Sequence, residues 1–441
     1  MIVAADHVLP VCDPPIERGA VAVVGGVIAD VGTLAEVRSR RPDDTEVVEL
    51  PGRILAPGLV NAHTHLALSA LEGLAPPAPL VEWLRDVTPS VLGLTEDEFE
   101  ASAALGAWHC LRTGTTVVAD IAYDAASRAA AARLGLGGAF CWELLGMEAE
   151  EMEESLRRRG FPVVGEHVED DDGRTTAALS PHAPYSAGPG LLQAAHRFAR
   201  RHGAPLFIHV AESADEVDAI RDGSGPLGAT ADRLASGFVP AGVSPVAYLA
   251  DLGVLDDAVC VHAVHVDRDD AALLAERARG VVLCPRSNAW LGNGEPPVRL
   301  LREAGVRFGV GTDSSASNDD LDLFAEARAL RALDPTLGAG ETLWAMTMGG
   351  AQLVGMAGSF GGLAPGAQAD LVAVLGTSGG DPVEAFLATG PGGVSDVMAA
   401  GEWKVRDGRP VIDAAAVERS AAPVRERAGQ LNARAREERG R

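Results

Sequence analysis

His63 and His65 are the first residues in the chain whose type and spacing suit metal binding. Residues i and i+2 of a strand point to the same side, so both imidazoles of this pair face one way. Neutral imidazole is a common zinc ligand. His209 could add a third nitrogen and Asp313 a carboxylate oxygen, with an open position left for water, as in catalytic sites. The sequence therefore predicts one metal site of three histidines and one aspartate.

Glu212 and His262 are the candidates for moving protons beside that metal. Glu212 lies three residues after His209, and a carboxylate beside a metal-activated water can accept its proton and return it. The alternative is that Glu212 caps the helix predicted for SADEVDAI. His262 is not needed as a ligand and fits a general base or a group that polarises the water. We therefore predict catalytic roles for Glu212, His262 and Asp313.

These polar residues share a position in the chain, because each lies in or follows one of eight short apolar runs. The runs are GLVNAH, TTVVADI, GAFCWELL, TTAALSPH, PLFIHVAE, AVCVHAVH, GVVLCPRSN and RFGVGTDS. A longer stretch with helical spacing follows each run, an alternation that predicts an α/β fold with a parallel (β/α)8 barrel. A doubly wound open sheet is the alternative. The carboxyl ends of barrel strands form one face, so His182, Ser287 and Asn288 are predicted to join the site there as substrate contacts.

The two ends of the chain have a different pattern, with short alternating strands and glycine turns. Residues 1–56 and 358–441 are predicted to form one composite β-sandwich domain with a C-terminal helix, and residues 57–357 the barrel. The alternative is two unrelated β caps. The final stretch, AAAVERSAAPVRERAGQLNARAREERGR, is predicted to be a solvated helix, and the acidic segment 166–174 a surface loop.

Charge and composition exclude several classes of function. The 441 residues carry a formal charge of −25, which argues against nucleic acid or an anionic membrane as a partner. The chain lacks a run of about 18 apolar residues and a leader-like start, so we expect a cytoplasmic protein with a small-molecule substrate. The five widely spaced cysteines do not predict a disulfide framework. Lys404 is the single lysine, which excludes a P-loop and confines lysine chemistry to that residue.

Six motifs in order resemble those of the amidohydrolase superfamily, and the resemblance covers nearly the whole chain. They are PGLVNAHTHL (57–66), SPHAPYS (180–186), HVAES (209–213), VHAVHVD (261–267), LCPRSN (283–288) and GTDSSASNDDLDLF (311–324). The branch is that of the mononuclear metal-dependent deaminases and chlorohydrolases. The resemblance implies a distorted (β/α)8 barrel, or TIM barrel, with a small β-sandwich from both chain ends. It also implies the ligands and the proton-handling pair named above: His63, His65, His209 and Asp313, then Glu212 and His262.

The lysine count bears on the number of metals. Binuclear members of the superfamily bridge two metals with a carboxylated barrel lysine, whereas Lys404 falls among the predicted C-terminal strands. We therefore expect one divalent transition metal ion. Zinc is the first choice and iron the alternative, since both accept this ligand set. A homodimer is the commonest arrangement for such an enzyme.

The resemblance implies a substrate with an amino-bearing ring, attacked by metal-bound hydroxide with release of ammonia. His182 resembles the family's substrate-contacting histidine, and Trp83 lies in a segment, 76–98, that resembles the loop over the ligand. In adenosine-type members a glutamate of this loop binds the ribose diol, and Val91 stands in its place here. The phrases DGSGPLG and GVSPVAYLADLGVL make 6-aminodeoxyfutalosine, of menaquinone biosynthesis, the first choice. Alternatives are methylthioadenosine, S-adenosylhomocysteine or adenosine deamination, a pyrimidine or triazine amino- or chlorohydrolase, and an inactive binding subunit.

Overall fold

The chain begins with five strands and one short helix. The computed structural model describes residues 1–41, 46–164, 167–168, 173–376, 379–390 and 392–439, so most of the predicted acidic loop lies outside the described residues. The first elements are β1 (Ile2–Val8), β2 (Ile16–Glu17), β3 (Gly19–Val24), β4 (Val27–Thr33), α1 (Leu34–Arg40) and β5 (Val47–Pro57). The predicted hairpin turn at Gly25-Gly26 joins β3 to β4, and both glycines have a positive φ, of 60° and 80°.

All eight predicted runs form strands of a parallel barrel. The first three barrel strands are β6 (Leu59–Thr64), β7 (Thr115–Ala122) and β8 (Gly137–Leu144). A separate two-stranded hairpin follows, made of β9 (Val163–Val164) and β10 (His167–Val168). The other five barrel strands are β11 (Thr175–Pro181), β12 (Phe207–Val210), β13 (Val259–His262), β14 (Gly280–Leu283) and β15 (Phe308–Val310). The strands pair in two sets of four, β6–β7–β8–β11 and β12–β13–β14–β15. Single parallel bridges, Thr64 to Asp313 and Leu179 to Leu206, close the circle between the sets. The barrel is therefore closed but distorted, as predicted.

The inside of the barrel is filled by alternate residues of the strands. Because successive strand residues face opposite sides, one set points to the axis and the other to the helices. The axial set is small and branched, and includes Val60, Ala62, Val117, Ala119, Ile121, Ala139, Cys141, Ala178, Phe207, Val259, Val261 and Val282, all fully buried. This packed layer closes the barrel below its carboxyl-end mouth, where the polar residues begin.

Helices follow the barrel strands and carry the apolar outer layer. They are α2 (Leu80–Gly93), α3 (Glu96–Arg112), α4 (Ala125–Leu134), α5 (Met152–Arg158), α6 (Pro189–His202), α7 (Ala214–Asp222), α8 (Gly225–Leu234), α9 (Pro245–Asp251), α10 (Arg268–Arg277), α11 (Pro285–Trp290), α12 (Val298–Glu303), α13 (Leu323–Leu333), α14 (Ala339–Trp344) and α15 (Gly350–Leu353). Two 3₁₀ turns, at Leu66–Leu71 and Ala149–Glu151, and a π turn at Ala345–Gly349 complete the set. Among the described residues, none of these helices is both long and apolar enough to span a membrane.

The C-terminal strands complete a sheet that the N-terminal strands began. They and their helices are β16 (Leu371–Leu375), α16 (Pro382–Leu387), β17 (Val394–Ala399), β18 (Glu402–Arg406), β19 (Arg409–Pro410) and α17 (Ala414–Arg439). The sheet order is β19-β18-β17-β16-β5-β1-β3-β4, with β2 on β1. Its two halves fold over each other, since a Cβ at Gly401 would lie 2.7 Å from the Gly26 Cα. The sandwich from both chain ends is confirmed, whereas the division at residues 57 and 357 stays a prediction.

The C-terminal helix α17 differs from the solvated helix that we predicted. Its side chains Val424 and Ala428 are buried against the apolar cluster that includes α2. The Ser90 hydroxyl of α2 donates to the Ala428 carbonyl at 2.9 Å, and Leu431 packs on Gly93. The helix is low in apolar residues overall, which hid its single buried stripe from sequence reasoning.

A buried ion pair joins the barrel to the sandwich. Arg174, just before β11, donates to both carboxylate oxygens of Asp370 at 2.8 and 3.1 Å, and both side chains are almost fully buried. Asp370 Oδ1 also accepts the Ala400 amide at 2.9 Å. The guanidinium lies 5.2 Å from the ring centroid of Phe360. This ion pair holds the start of β16 next to the start of the barrel strand β11.

Candidate active site

The residues predicted to bind metal meet at the carboxyl-end mouth of the barrel. His63 and His65 lie at the end of β6, His209 in β12, and Asp313 just after β15. One nitrogen of each of the three histidines lies within 4.8 Å of the others. Asp313 Oδ1 lies 3.5 Å from His63 Nε2 and 3.3 Å from His65 Nε2. The four side chains thus surround one point, although they are separated by 250 residues in the sequence.

The histidine nitrogens at this point lack partners, which fits a metal ligand set. Both ring nitrogens of His63 and Nδ1 of His65 are buried without a hydrogen bond among the described residues. Burial lowers the pKa of His63 well below its usual range and that of His65 to about 4, so both rings are neutral. His209 Nδ1 donates to the His182 carbonyl at 2.8 Å, which leaves its Nε2 lone pair free. Neutral imidazoles with open lone pairs are the form that binds metal.

Asp313 is held by two serines. Its Oδ2 accepts the Ser287 hydroxyl at 2.6 Å and the Ser317 hydroxyl at 2.9 Å. Burial raises the pKa of Asp313, but the adjacent rings of His63 and His65 together lower it well below its usual range. The carboxylate is therefore ionised, with Oδ1 left for the metal point. Ser287, which we predicted to contact substrate, orients a metal-ligand candidate in this structure.

Glu212 lies beside the metal point as a buried acid. Its Oε1 accepts the Asn293 amide at 2.9 Å and lies 3.9 Å from His262 Nε2. Burial raises the pKa of Glu212 to about 7. The alternative that Glu212 caps the next helix is wrong, because the N-cap of α7 is Ser213, whose hydroxyl accepts the Glu216 amide.

His262 is oriented by Asn288. His262 Nδ1 donates to Asn288 Oδ1 at 3.1 Å, so Nε2 carries the lone pair and faces Glu212. Burial lowers the pKa of His262, which keeps the ring neutral and able to accept a proton. Asn288, predicted as a substrate contact, therefore fixes a tautomer at this site.

His182 and Trp83, two further predicted substrate contacts, lie next to residues of the metal site or of its loops. The His182 ring centroid is 4.9 Å from that of His209, and His182 Nδ1 bonds Ser186 Oγ at 2.6 Å, which leaves Nε2 for a ligand. Trp83, in α2, donates its indole N–H to the Ala316 carbonyl at 2.9 Å, in the loop that follows Asp313. Val91 lies at the end of the same helix and packs in a cluster with α17 side chains. The two predicted substrate contacts line the mouth region, and Val91 contributes an apolar contact to the helix packing.

With this geometry established, the chain can be compared with known proteins. A family model described as the Amidohydrolase family matches residues 54–404. The chain belongs to the amidohydrolase family. A 5-methylthioadenosine/S-adenosylhomocysteine deaminase of Syntrophobacter fumaroxidans is 36% identical over 369 residues, which cover 81% of this chain and 80% of the relative. Members of this kind are hydrolases of carbon–nitrogen bonds, and this chain is one.

Solved structures agree on the fold of this amidohydrolase. A zinc-bound adenosine deaminase from Xanthomonas campestris matches with a TM-score of 0.82 and 29% identity, covering 97% of this chain and 98% of that one. An aminofutalosine deaminase from Helicobacter pylori, in complex with methylthio-coformycin, matches with a TM-score of 0.75 and 20% identity, covering 91% and 99%. The second likeness supports the fold alone.

Three residues at the amidohydrolase site have a strained backbone conformation. His262, Asp313 and Ala211 have positive φ values of 76°, 57° and 52°, a region that non-glycine residues rarely adopt. All three lie where barrel strands end, so the strain turns side chains toward the mouth instead of continuing the strand. A sequence pattern carries no sign of these conformations, because none of the three residues is a glycine.

Sequence reasoning missed three residues that support this amidohydrolase site. Asn293 bonds Glu212, Ser317 bonds Asp313, and Glu216 accepts the backbone amides of Ala211 and Glu212 at 2.9 and 2.8 Å. Ser317 lies within the 311–324 motif, which could have indicated it. Asn293 and Glu216 lie in a loop and a helix outside the motifs, where no pattern singled them out.

Proposed function

We propose that this amidohydrolase deaminates the purine of an adenine-type nucleoside and releases ammonia. One observation carries the proposal: unpartnered nitrogens of His63 and His65 meet His209 and Asp313 at one point, with the raised-pKa acid Glu212 beside it. The curated relative that is 36% identical supports an adenine nucleoside as the substrate class, because it is named a methylthioadenosine/S-adenosylhomocysteine deaminase.

The residues fit a single divalent metal. His63, His65, His209 and Asp313 would hold it, and their neutral rings and ionised carboxylate are already in the required forms. When bound, such an ion lowers the pKa of a coordinated water toward 7. Zinc is our proposal, with iron as the alternative. The lone lysine, Lys404, lies in β18 and bonds Glu402 at 3.0 Å, so it cannot serve as a bridge between two metals.

The protein side chains then move protons. His262 Nε2, kept as an acceptor by Asn288, and ionised Asp313 orient the attacking water and accept its proton. The water oxygen bonds to the ring carbon that carries the amino group, and Glu212 protonates the adjacent ring nitrogen. The proton that His262 or Asp313 took from the water passes to the amino group, the carbon–nitrogen bond breaks and ammonia leaves. The hydroxyl proton of the intermediate returns to Glu212 as the ring carbonyl forms.

The identity of the nucleoside is the finer part of the proposal. 6-Aminodeoxyfutalosine, our first choice from the sequence phrases, is not confirmed, because the aminofutalosine deaminase structure shares only 20% identity. The deaminase relative supports methylthioadenosine, S-adenosylhomocysteine or a similar nucleoside instead. His182 Nε2, which the Nδ1 bond to Ser186 leaves for a ligand, and Trp83 are our proposed contacts with the purine and the groups beyond it. Because Val91 stands where adenosine-type members have a glutamate, other residues must recognise those groups.

An ammonia-release assay with a substrate panel tests this function. We expect aminopurine nucleosides to exceed guanine, cytosine and chlorotriazines in kcat/KM, which measures discrimination in the transition state. The best substrate should reach about 10⁴ M⁻¹s⁻¹ or more. Turnover of a triazine or an aminopyrimidine alone would replace the proposal with the runner-up hydrolase. A metal-loaded protein with no turnover of any member would support the inactive binding subunit.

A further inference from the structure

Glu143 is a buried carboxylate that the proposed mechanism does not use. It lies at the end of β8 and is 7% exposed. Its carboxylate accepts no hydrogen bond from any residue that the structure describes, and burial raises its pKa to about 7. A buried acid without a partner is unfavourable, so its presence needs an explanation outside the folding of the chain.

The strand alternation points Glu143 into the barrel mouth. Ala139 and Cys141 of β8 face the barrel axis, so Glu143, two residues further, faces the same way above them. Phe140, Trp142 and Leu144 face the outer helices. Glu143 therefore lies in the same inward layer of strand ends that carries the histidine site.

The register with β11 places Glu143 next to the substrate wall. Glu143 pairs with Ser180, whose buried hydroxyl also lacks a partner among the described residues. His182 follows two residues later, and its amide donates to the Leu144 carbonyl at 3.0 Å. The ring of Tyr185 lies 5.7 Å from that of His182, in one apolar cluster with Trp83. Glu143 thus adds a negative group to the wall that holds the predicted substrate contacts.

Arg159, the nearby cation, forms no ion pair with the Glu143 carboxylate. Arg159 Nη1 donates to the backbone carbonyls of Glu143 and Tyr123, at 2.8 and 3.1 Å. Within the described part of the chain, no arginine or lysine nitrogen lies within 4.0 Å of the Glu143 carboxylate. Burial, together with the charges of Glu212, Glu216 and Glu143, raises the pKa of Tyr185 well above its usual range. The wall therefore offers a carboxylate, Glu143, and a hydroxyl, Ser180, that have no hydrogen-bond partner among the described residues.

We propose that Glu143 selects the arm of the substrate, meaning the groups carried beyond the purine and its sugar. It accepts hydrogen bonds from neutral or cationic arms and rejects arms that carry a carboxylate. This inference rests on the proposed nucleoside deamination. Adenosine and methylthioadenosine have uncharged arms, 6-aminodeoxyfutalosine carries a carboxylate, and S-adenosylhomocysteine carries a carboxylate together with an ammonium group. The inference therefore favours the first two over 6-aminodeoxyfutalosine, because like charges repel strongly in a buried site.

A pair of isosteric nucleosides tests the selection. Adenosine-5′-carboxamide and adenosine-5′-carboxylate have the same size and differ by one charge. Above the pKa of about 7 that burial gives Glu143, where its carboxylate is ionised, we expect the wild-type enzyme to prefer the carboxamide at least about tenfold in kcat/KM. Glu143→Gln should reduce that preference to about threefold or less at the same pH. The ratio is measured within one preparation, so a loss of active protein cancels. Glu143→Ala should reduce the preference in the same way, and Glu150→Gln, at an exposed site, should preserve it.

Two outcomes overturn the inference while the deaminase function stands: no charge preference in the wild type, or an unchanged preference in Glu143→Gln. If the wild-type enzyme deaminates no adenine nucleoside at all, the proposed function fails and the inference falls with it. Metal content and thermal midpoint, measured for every variant, separate both cases from misfolding. Comparison of methylthioadenosine with 6-aminodeoxyfutalosine then extends the charge test to larger arms.

Discussion

At the scale of residues, hydrogen-bond partners set the tautomers of two histidines and the orientation of the aspartate in the candidate site. Asn288 sets the tautomer of His262, the His182 carbonyl sets that of His209, and Ser287 with Ser317 orients Asp313. Such outer partners orient ligands and typically change metal affinity or activity 10- to 100-fold when removed. Ser287 and Asn288, two of the predicted substrate contacts, make these bonds, and their contact with substrate stays a prediction.

Glu212→Gln separates a proton carrier from a metal ligand. The variant keeps the shape of the side chain and removes the ionisable oxygen, so we expect it to retain its metal and to lose about 10²- to 10⁴-fold in kcat/KM. Elemental analysis and steady-state kinetics measure the two effects. Asp218→Asn, an exposed change on α7, is the control. If Glu212→Gln loses the metal but keeps its rate per bound metal, Glu212 is a ligand.

Ser287→Ala decides between orientation of Asp313 and contact with substrate. Loss of the 2.6 Å hydrogen bond should weaken metal affinity about 10-fold or more, with KM of the metal-loaded enzyme nearly unchanged. A chelator competition gives the affinity, and kinetics at saturating metal give KM. A raised KM with normal metal affinity would return Ser287 to the substrate wall.

At the scale of elements, α17 supports the helix that carries Trp83. Val424 is 2% exposed in the α17–α2 contact, so Val424→Asp places a charge in an apolar interface. We expect a lower thermal midpoint and faster tryptic cleavage of α17, which has several arginines. Val411→Asp makes the same change at a valine that is 57% exposed and should have little effect. Equal behaviour of the two variants would contradict the docking of α17.

At the scale of the whole molecule, the Arg174–Asp370 pair holds barrel and sandwich together. Asp370→Asn removes the buried negative charge, and we expect the free energy of unfolding to fall by about 3 kcal/mol. Denaturant unfolding measures the change, and metal content should stay the same because the pair is not part of the metal site. Asp407→Asn, at a side chain that is 73% exposed, is the control. An equally small effect of both variants would show that the pair does not stabilise the junction.

The sequence by itself indicated the barrel and the candidate metal ligands. Eight apolar runs alternated with helical stretches, and polar residues stood where the runs ended, so the shared face of a parallel barrel follows from chain direction alone. The spacing of His63 and His65 placed both rings on one side for the same local reason. These features depend on period and order, which the chain displays directly.

Only the tertiary structure decided what each side chain does at the mouth. Ser287 and Asn288 bond Asp313 and His262 because α11 follows β14, which lies between β13 and β15 in the sheet, a contact that no spacing encodes. The buried stripe of α17 depends on α2 being present to cover it. Glu143 looked like one more charged residue in GAFCWELL, and it became a candidate selector only when strand register placed it inward without a partner. Local pattern fixes which residues lie on a face, whereas hydrogen-bond partners and burial arise from segments that are distant in sequence.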